Sequence, residues 1–227
     1  SRKTFESVLE ADPGCGIAHW GIAMTHFGNP MAGGAAAAGQ AAGGAAAEET
    51  EQVGARGARD KAYIAAAVAL FRDHDKVDRR TRMVRYEQAL KNIVDRFGSD
   101  TEAKIFHGIF RVANAPPTDL TFKQQQEAAD LLTRLYREHP NHPGLAHYII
   151  HAFDSPPLAK HALAAARQYA GIAPAAPHAL HMPSHIFTRL GYWDESIATN
   201  RKSADLEPAP GGKSHPLDYM VYGYLQQ

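Results

Sequence analysis

Apolar positions recur at steps of three and four residues over segments of about 12 to 15 residues, the spacing that builds one face of a helix. Each segment closes at a proline or a glycine. The clearest unit is PHALHMPSHIFTRLGYWDESIATNRKSADLEP, residues 177–208. Leu180, Ile186 and Leu190 mark the inner face of its first helix, and Gly191 makes a tight turn. A second helix is predicted from Trp193 to Leu206, where Pro208 stops it. The punctuation itself is periodic. Pro140, Pro174 and Pro208 are each 34 residues apart, and Pro143 and Pro177 repeat the interval. A fixed period of this length signals an array of helical repeats.

On these residues the sequence resembles the tetratricopeptide repeat family. LGYWDESI (Leu190 to Ile197) is similar to the start of that family's second helix, and DLEP (Asp205 to Pro208) to its closing proline turn. FESVLEADP (Phe5 to Pro13) is a second such ending, followed by IAHWGIAMTHF. More narrowly, the segments containing HYIIH and HMPSHIF resemble a group of bacterial repeat proteins to which no function attaches here. The resemblance implies an all-α fold, a right-handed α-solenoid of helical hairpins whose first helices line a concave groove. Four stretches follow. Residues 1–31 form a partial repeat, and residues 32–47 (AGGAAAAGQAAGGAAA) a low-complexity linker or unassigned segment, because glycine weakens a helix and no large side chain is present to pack. Residues 48–100 are helical with a weak repeat match. Residues 101–227 carry the repeats and end in an incomplete one. The chain is expected to be a fragment of a longer array, and its compartment stays open.

Composition narrows the chemistry. Lysine plus arginine and aspartate plus glutamate number 24 each, so no net field favours nucleic acid or an anionic membrane. Cys15 is the only cysteine, which excludes an internal disulfide and cysteine-rich metal sites. No apolar run approaches the ~20 residues of a membrane span. The mixed run Asp73 to Arg82 reads as a solvated turn and helix start.

Thirteen histidines are the departure from an ordinary composition. His147, His181 and His215 fall 34 apart. His151, His185 and Tyr219 repeat the interval four residues on. HGIFRVANAPP aligns with HYIIHAFDSPP, placing His107, Arg111 and Asn114 under His147, His151 and Asp154. Residues four and seven apart share a helix face, so His147, His151 and Asp154 point one way, as do His181, His185 and Thr188. The family resemblance places these columns on the groove. A metal reading assigns His147, His151, His181 and His185 as ligands of zinc, iron or copper, with Asp154 as ligand or orienter. Two other readings stand beside it: a metal-free polar groove for a peptide, protein partner or small molecule, and histidines retained for packing. The groove residues would be His107, Arg111, Asn114, Tyr148, Thr188, Arg189, His215 and Tyr219. A binding scaffold is the leading function, and a hydrolytic or oxidative metalloenzyme the alternative.

Three details sharpen these expectations. Asp154 sits at a helix C-terminus, where a negative charge is disfavoured; a basic neighbour, a metal or open solvent would each relieve it, and open solvent is the simplest. Arg189 is expected in a salt bridge to the next helix. Pro183, between His181 and His185, removes a backbone donor and is expected to break the helix and reorient the two imidazoles. His74, His139, His142 and His161 are read as solvated.

Overall fold

The computed structural model describes residues 2–31, 33 and 37–227, and every regular element among them is a helix. The all-α expectation holds. The chain divides into two compact units, Ser1–Pro116 and Pro117–Gln227.

The first unit contains α1 (Arg2–Ala11), α2 (Gly16–Phe27), α3 (Ala37–Val53), α4 (Ala58–Phe71), α5 (Arg79–Arg96) and α6 (Thr101–Ala113). Its core is aromatic. Trp20 meets Tyr63 edge-on at 5.3 Å, Phe27 meets Phe71 at 6.1 Å, and Tyr86 meets Phe110 at 4.5 Å between ring centroids. Asp78 and Asp100 cap α5 and α6 by accepting from the backbone N–H groups of Thr81 and Ala103.

The low-complexity stretch differs from the linker expectation. Residues 32 and 34–36 lie outside the described residues, but α3 takes up residues 37–47 and packs on α2 and α4. Its small residues permit a close approach. A Cβ on Gly43 would lie 2.2 Å from Cε1 of Phe71, so the Phe71 ring occupies the space a side chain would need. The run 73–82 is exposed or half-buried except at its end, where Arg82 departs from the solvated reading and is 3% exposed. It donates from Nε to the carbonyl of Val77 at 3.1 Å, and from Nη1 to the carbonyl of Leu70 at 2.9 Å and Oε1 of Gln40 at 3.2 Å.

The second unit contains α7 (Lys123–Glu138), α8 (Pro143–Phe153), a 3-10 turn (Ala159–Ala162) leading into α9 (Leu163–Ile172), α10 (Pro177–His181), α11 (Pro183–Leu190), α12 (Trp193–Leu206) and α13 (Pro210–Leu225). Prolines stand at the first position of α8, α10 and α13, where the missing N–H costs nothing. The helices before the periodic prolines end at Glu138, Ile172 and Leu206, so the 34-residue interval reappears in the element boundaries. Gly191, with φ of 76°, closes α11 in the left-handed conformation, and α12 spans the residues expected of it. Leu132, Leu145, Ile150, Met182 and Ile186 form the apolar centre and are essentially inaccessible. No described helix is long and apolar enough to cross a membrane.

Candidate metal centre

Helices α8, α10, α11 and α13 bring six imidazoles into one cluster. The break between α10 and α11 follows from Pro183. Met182 keeps helical dihedrals (φ −53°, ψ −36°), but the ladder passes from Met182 N–H on the His178 carbonyl to His185 N–H on the Met182 carbonyl. His181 and His185 therefore stand on opposite sides of the interruption that the sequence anticipates. Their Nε2 atoms lie 3.0 Å apart.

The second nitrogens of this pair fix the tautomers. Asn200 donates from Nδ2 to the Ser196 carbonyl at 2.8 Å, which leaves its Oδ1 as the acceptor facing His181 Nδ1 at 2.6 Å. His185 Nδ1 faces a carboxylate oxygen of Asp154 at 2.8 Å. Both Nδ1 atoms thus carry hydrogen, and in the neutral rings both Nε2 atoms present lone pairs to each other. Two acceptors at this separation require a cation between them, either a proton or a metal. Orientation of a ligating imidazole by an amide or carboxylate on its other nitrogen is the common outer-shell arrangement of protein metal sites.

Asp154 is relieved by two basic neighbours rather than by solvent, His185 and also Arg189, which donates to it from Nε at 3.0 Å. Burial alone would raise its carboxyl pKa, and the bonds from His185 and Arg189 more than offset this and hold it below the usual value. The expected salt bridge of Arg189 to a neighbouring helix is this one. Within the metal set Asp154 orients His185.

On α8, His147 and His151 meet through their Nε2 atoms at 3.1 Å, and His178 Nε2 of α10 approaches His147 Nε2 at 3.2 Å. Two sets of three ligand nitrogens result, each with all members within 4.8 Å of one another: His147, His151 and His178, and His181, His185 and His215. The four metal-reading histidines do gather, but as two sets. His178 escaped the column reading because position 144, one period earlier, is glycine. The i,i+3 spacing of His178 and His181 on one helix face was the signal that could have found it.

Burial pushes His147 down to about 2, and the neighbouring imidazoles add to the shift. Burial likewise lowers His151 to about 4, against a partial upward pull from Asp154, and His181 to about 3 despite its bond to Asn200. His178 and His215 are lowered by burial as well. At neutral pH these five rings are uncharged and hold the lone pairs that coordination needs.

The remaining expected groove residues separate. Thr188 shares a hydrogen bond with Ser196 at 3.1 Å, and Tyr219 places its hydroxyl 3.5 Å from His185 Nδ1. Together with Arg189 they border a cleft of about 370 Å³ beside His185. Tyr148 lies against the His147 ring at 5.0 Å. His107, Arg111 and Asn114 belong to the first unit. There Arg111 Nη1 contacts Glu87 at 3.4 Å, Asn114 donates to Glu87 at 2.7 Å, and burial lowers His107. His161 is exposed as expected, whereas His142 caps α8 by accepting from Leu145 N–H.

The chain matches no family model and no curated protein sequence.

Proposed function

We propose that the second unit is a transition-metal site carried on a tetratricopeptide-like helical repeat scaffold, binding a peptide, protein or small-molecule ligand at the groove of a right-handed solenoid. The observation that carries the metal reading is the facing pair of Nε2 atoms on His181 and His185, each ring held from behind by Asn200 or Asp154. All-nitrogen donors suit zinc, iron or copper. The repeat setting is supported by helix ends at the 34-residue interval. A metalloenzyme using the same histidines is the second reading, and the cleft at His185 and Tyr219 favours it, since a substrate there would lie next to the ion.

Protein purified without an affinity tag, stripped by chelation and reloaded separately with zinc, iron or copper tests the site. Retention of at least about one ion per chain after gel filtration is expected for one of these metals. The double variant His151→Ala/His185→Ala, with its fold checked by circular dichroism, should lose the ion, and His161→Ala should keep it. No retained metal in the unaltered protein, or full retention in a folded double variant, overturns the proposal.

A further inference from the structure

The cluster holds more imidazoles than one ion uses. Three Nε2 atoms converge around His147, with His151 at 3.1 Å and His178 at 3.2 Å. His147 Nε2 offers either one hydrogen or one lone pair, so it makes one well-aligned hydrogen bond, with His151 or with His178, and not both. At metal–nitrogen bonds of about 2.05 Å, contacts of this length subtend roughly 98–103° at the ion, between octahedral and tetrahedral angles. The two contacts at His147 already have the spacing of ligands on one metal.

The second set, His181, His185 and His215, stands directly beside it. The rings of His151 and His185 are 6.1 Å apart between centroids, as are those of His178 and His181. Among the described residues, Asp154 is the carboxylate in hydrogen-bond contact with these rings, through His185. His181 is 2% exposed, and His147, His151 and His185 are half-buried. Two divalent ions in such a place would bring four positive charges against two carboxylates, Asp154 and, near His215, Asp218, and charge without compensation is costly away from water. Two monovalent ions halve that charge. Among transition metals that imidazole binds well, copper offers a stable monovalent state.

We propose that the six histidines form a dinuclear copper centre, with His147, His151 and His178 holding one ion and His181, His185 and His215 the other. This rests on the metal reading given above and adds the second ion, the metal's identity and the pairing. Each ion keeps an open position, and the cleft beside His185 gives access to the second. Asp154 and Asn200 orient the second set only, so the two sites are unequal.

Anaerobic loading of the full chain with cuprous ion, followed by desalting and metal analysis, reads the stoichiometry. The expected result is about two coppers per chain, falling to about one in His178→Ala and to about one in His215→Ala. Both replaced residues are exposed, so folding should survive and is checked by circular dichroism. His74→Ala, in the first unit, should retain both. One copper in the unaltered protein would overturn the dinuclear centre and leave the single site standing, whereas none would remove both. Two coppers undiminished in His178→Ala would overturn the assignment of the first set. Oxidation with ferricyanide, one electron leaving each ion, tests adjacency by electron paramagnetic resonance. The paired ions should give well under half the signal expected from total copper, and each single variant a full mononuclear signal. Two full, independent signals in the unaltered protein would overturn the pairing.

Discussion

The two units bury polar groups by opposite means. In the first, charges meet partners. Asp100 accepts from Arg59 at 2.7 Å, from the Tyr63 hydroxyl at 3.1 Å and from the Ala103 N–H at 3.1 Å. Arg82 is surrounded by carbonyl oxygens, and Glu87 takes both Arg111 and Asn114. Every one of these contacts pairs a donor with an acceptor. In the second unit, imidazoles face one another nitrogen to nitrogen; at His181 and His185 both Nδ1 hydrogens are committed to Asn200 and Asp154, and that contact is complete only with a cation added. A buried polar cluster that satisfies itself stabilises a fold, whereas one that does not is a place where something binds.

Acid should separate the two most strongly. His147, His151 and His181 stay neutral in the fold but take up protons in the unfolded chain below their ordinary 6.5. The unfolded state therefore binds more protons as pH falls. Stability of the metal-free second unit is full above about pH 6.5 and declines towards pH 4, by roughly 1.4 kcal/mol per pH unit for each ring so titrated. In the first unit, Asp100 is held below its ordinary 3.8, because the bonds from Arg59, Ala103 and Tyr63 outweigh its burial. Its contribution is present above about pH 4 and is lost only below that. Each unit carries one tryptophan, Trp20 and Trp193. Urea transitions of Trp193→Phe and Trp20→Phe variants after chelation should show the second unit weakening between pH 6.5 and 4.5 by more than the first, where His107 is lowered by burial in the same direction. Equal weakening would erase the contrast.

Asp154→Asn is the next largest effect. It removes the charge that holds His185 and Arg189 but keeps the size of the side chain. Loss of such an outer partner lowers metal affinity by about 10- to 100-fold, and competition with a chelator of known affinity measures it. The matching change in the first unit, Asp100→Ala, removes a helix cap and the partner of Arg59. It should cost about 2 kcal/mol in urea denaturation and leave metal binding unchanged.

How much of this was legible in the sequence follows the same division. Helix ends and the columns His147/His181 and His151/His185 could be read because a proline or histidine repeated at fixed spacing carries its own register. Pro183 could be read as a break because the missing N–H acts locally. His178 belongs to no column, and its role depends on how α10 meets α8, which no spacing encodes. Arg82 looked like part of a solvated run because its neighbours in sequence are charged, while its neighbours in space are carbonyls from the end of α4 and the turn after it. Gly43 and Gly44 of α3 read as a linker because the rings that meet them, Phe71 and His74, come from another helix and the turn after it.

That last case gives the smallest and most direct test of the contrast between closed and open positions. Glycine to alanine within a helix gains up to about 1 kcal/mol when nothing opposes the added methyl. Gly171, in α9 of the second unit, has no atom within 4 Å of the position a Cβ would take. Gly171→Ala should therefore stabilise the protein by about 0.5–1 kcal/mol. Gly43, in α3, would place its methyl 2.2 Å from the Phe71 ring, itself packed against Phe27. Moving that ring disturbs a packed core, and overpacking costs about 1–3 kcal/mol, more than the helix gain. Gly43→Ala should lower the urea midpoint and Gly171→Ala should raise it. If both raise it, the close approach of α3 to α4 does not require its small residues, and the stretch owes its composition to something other than packing.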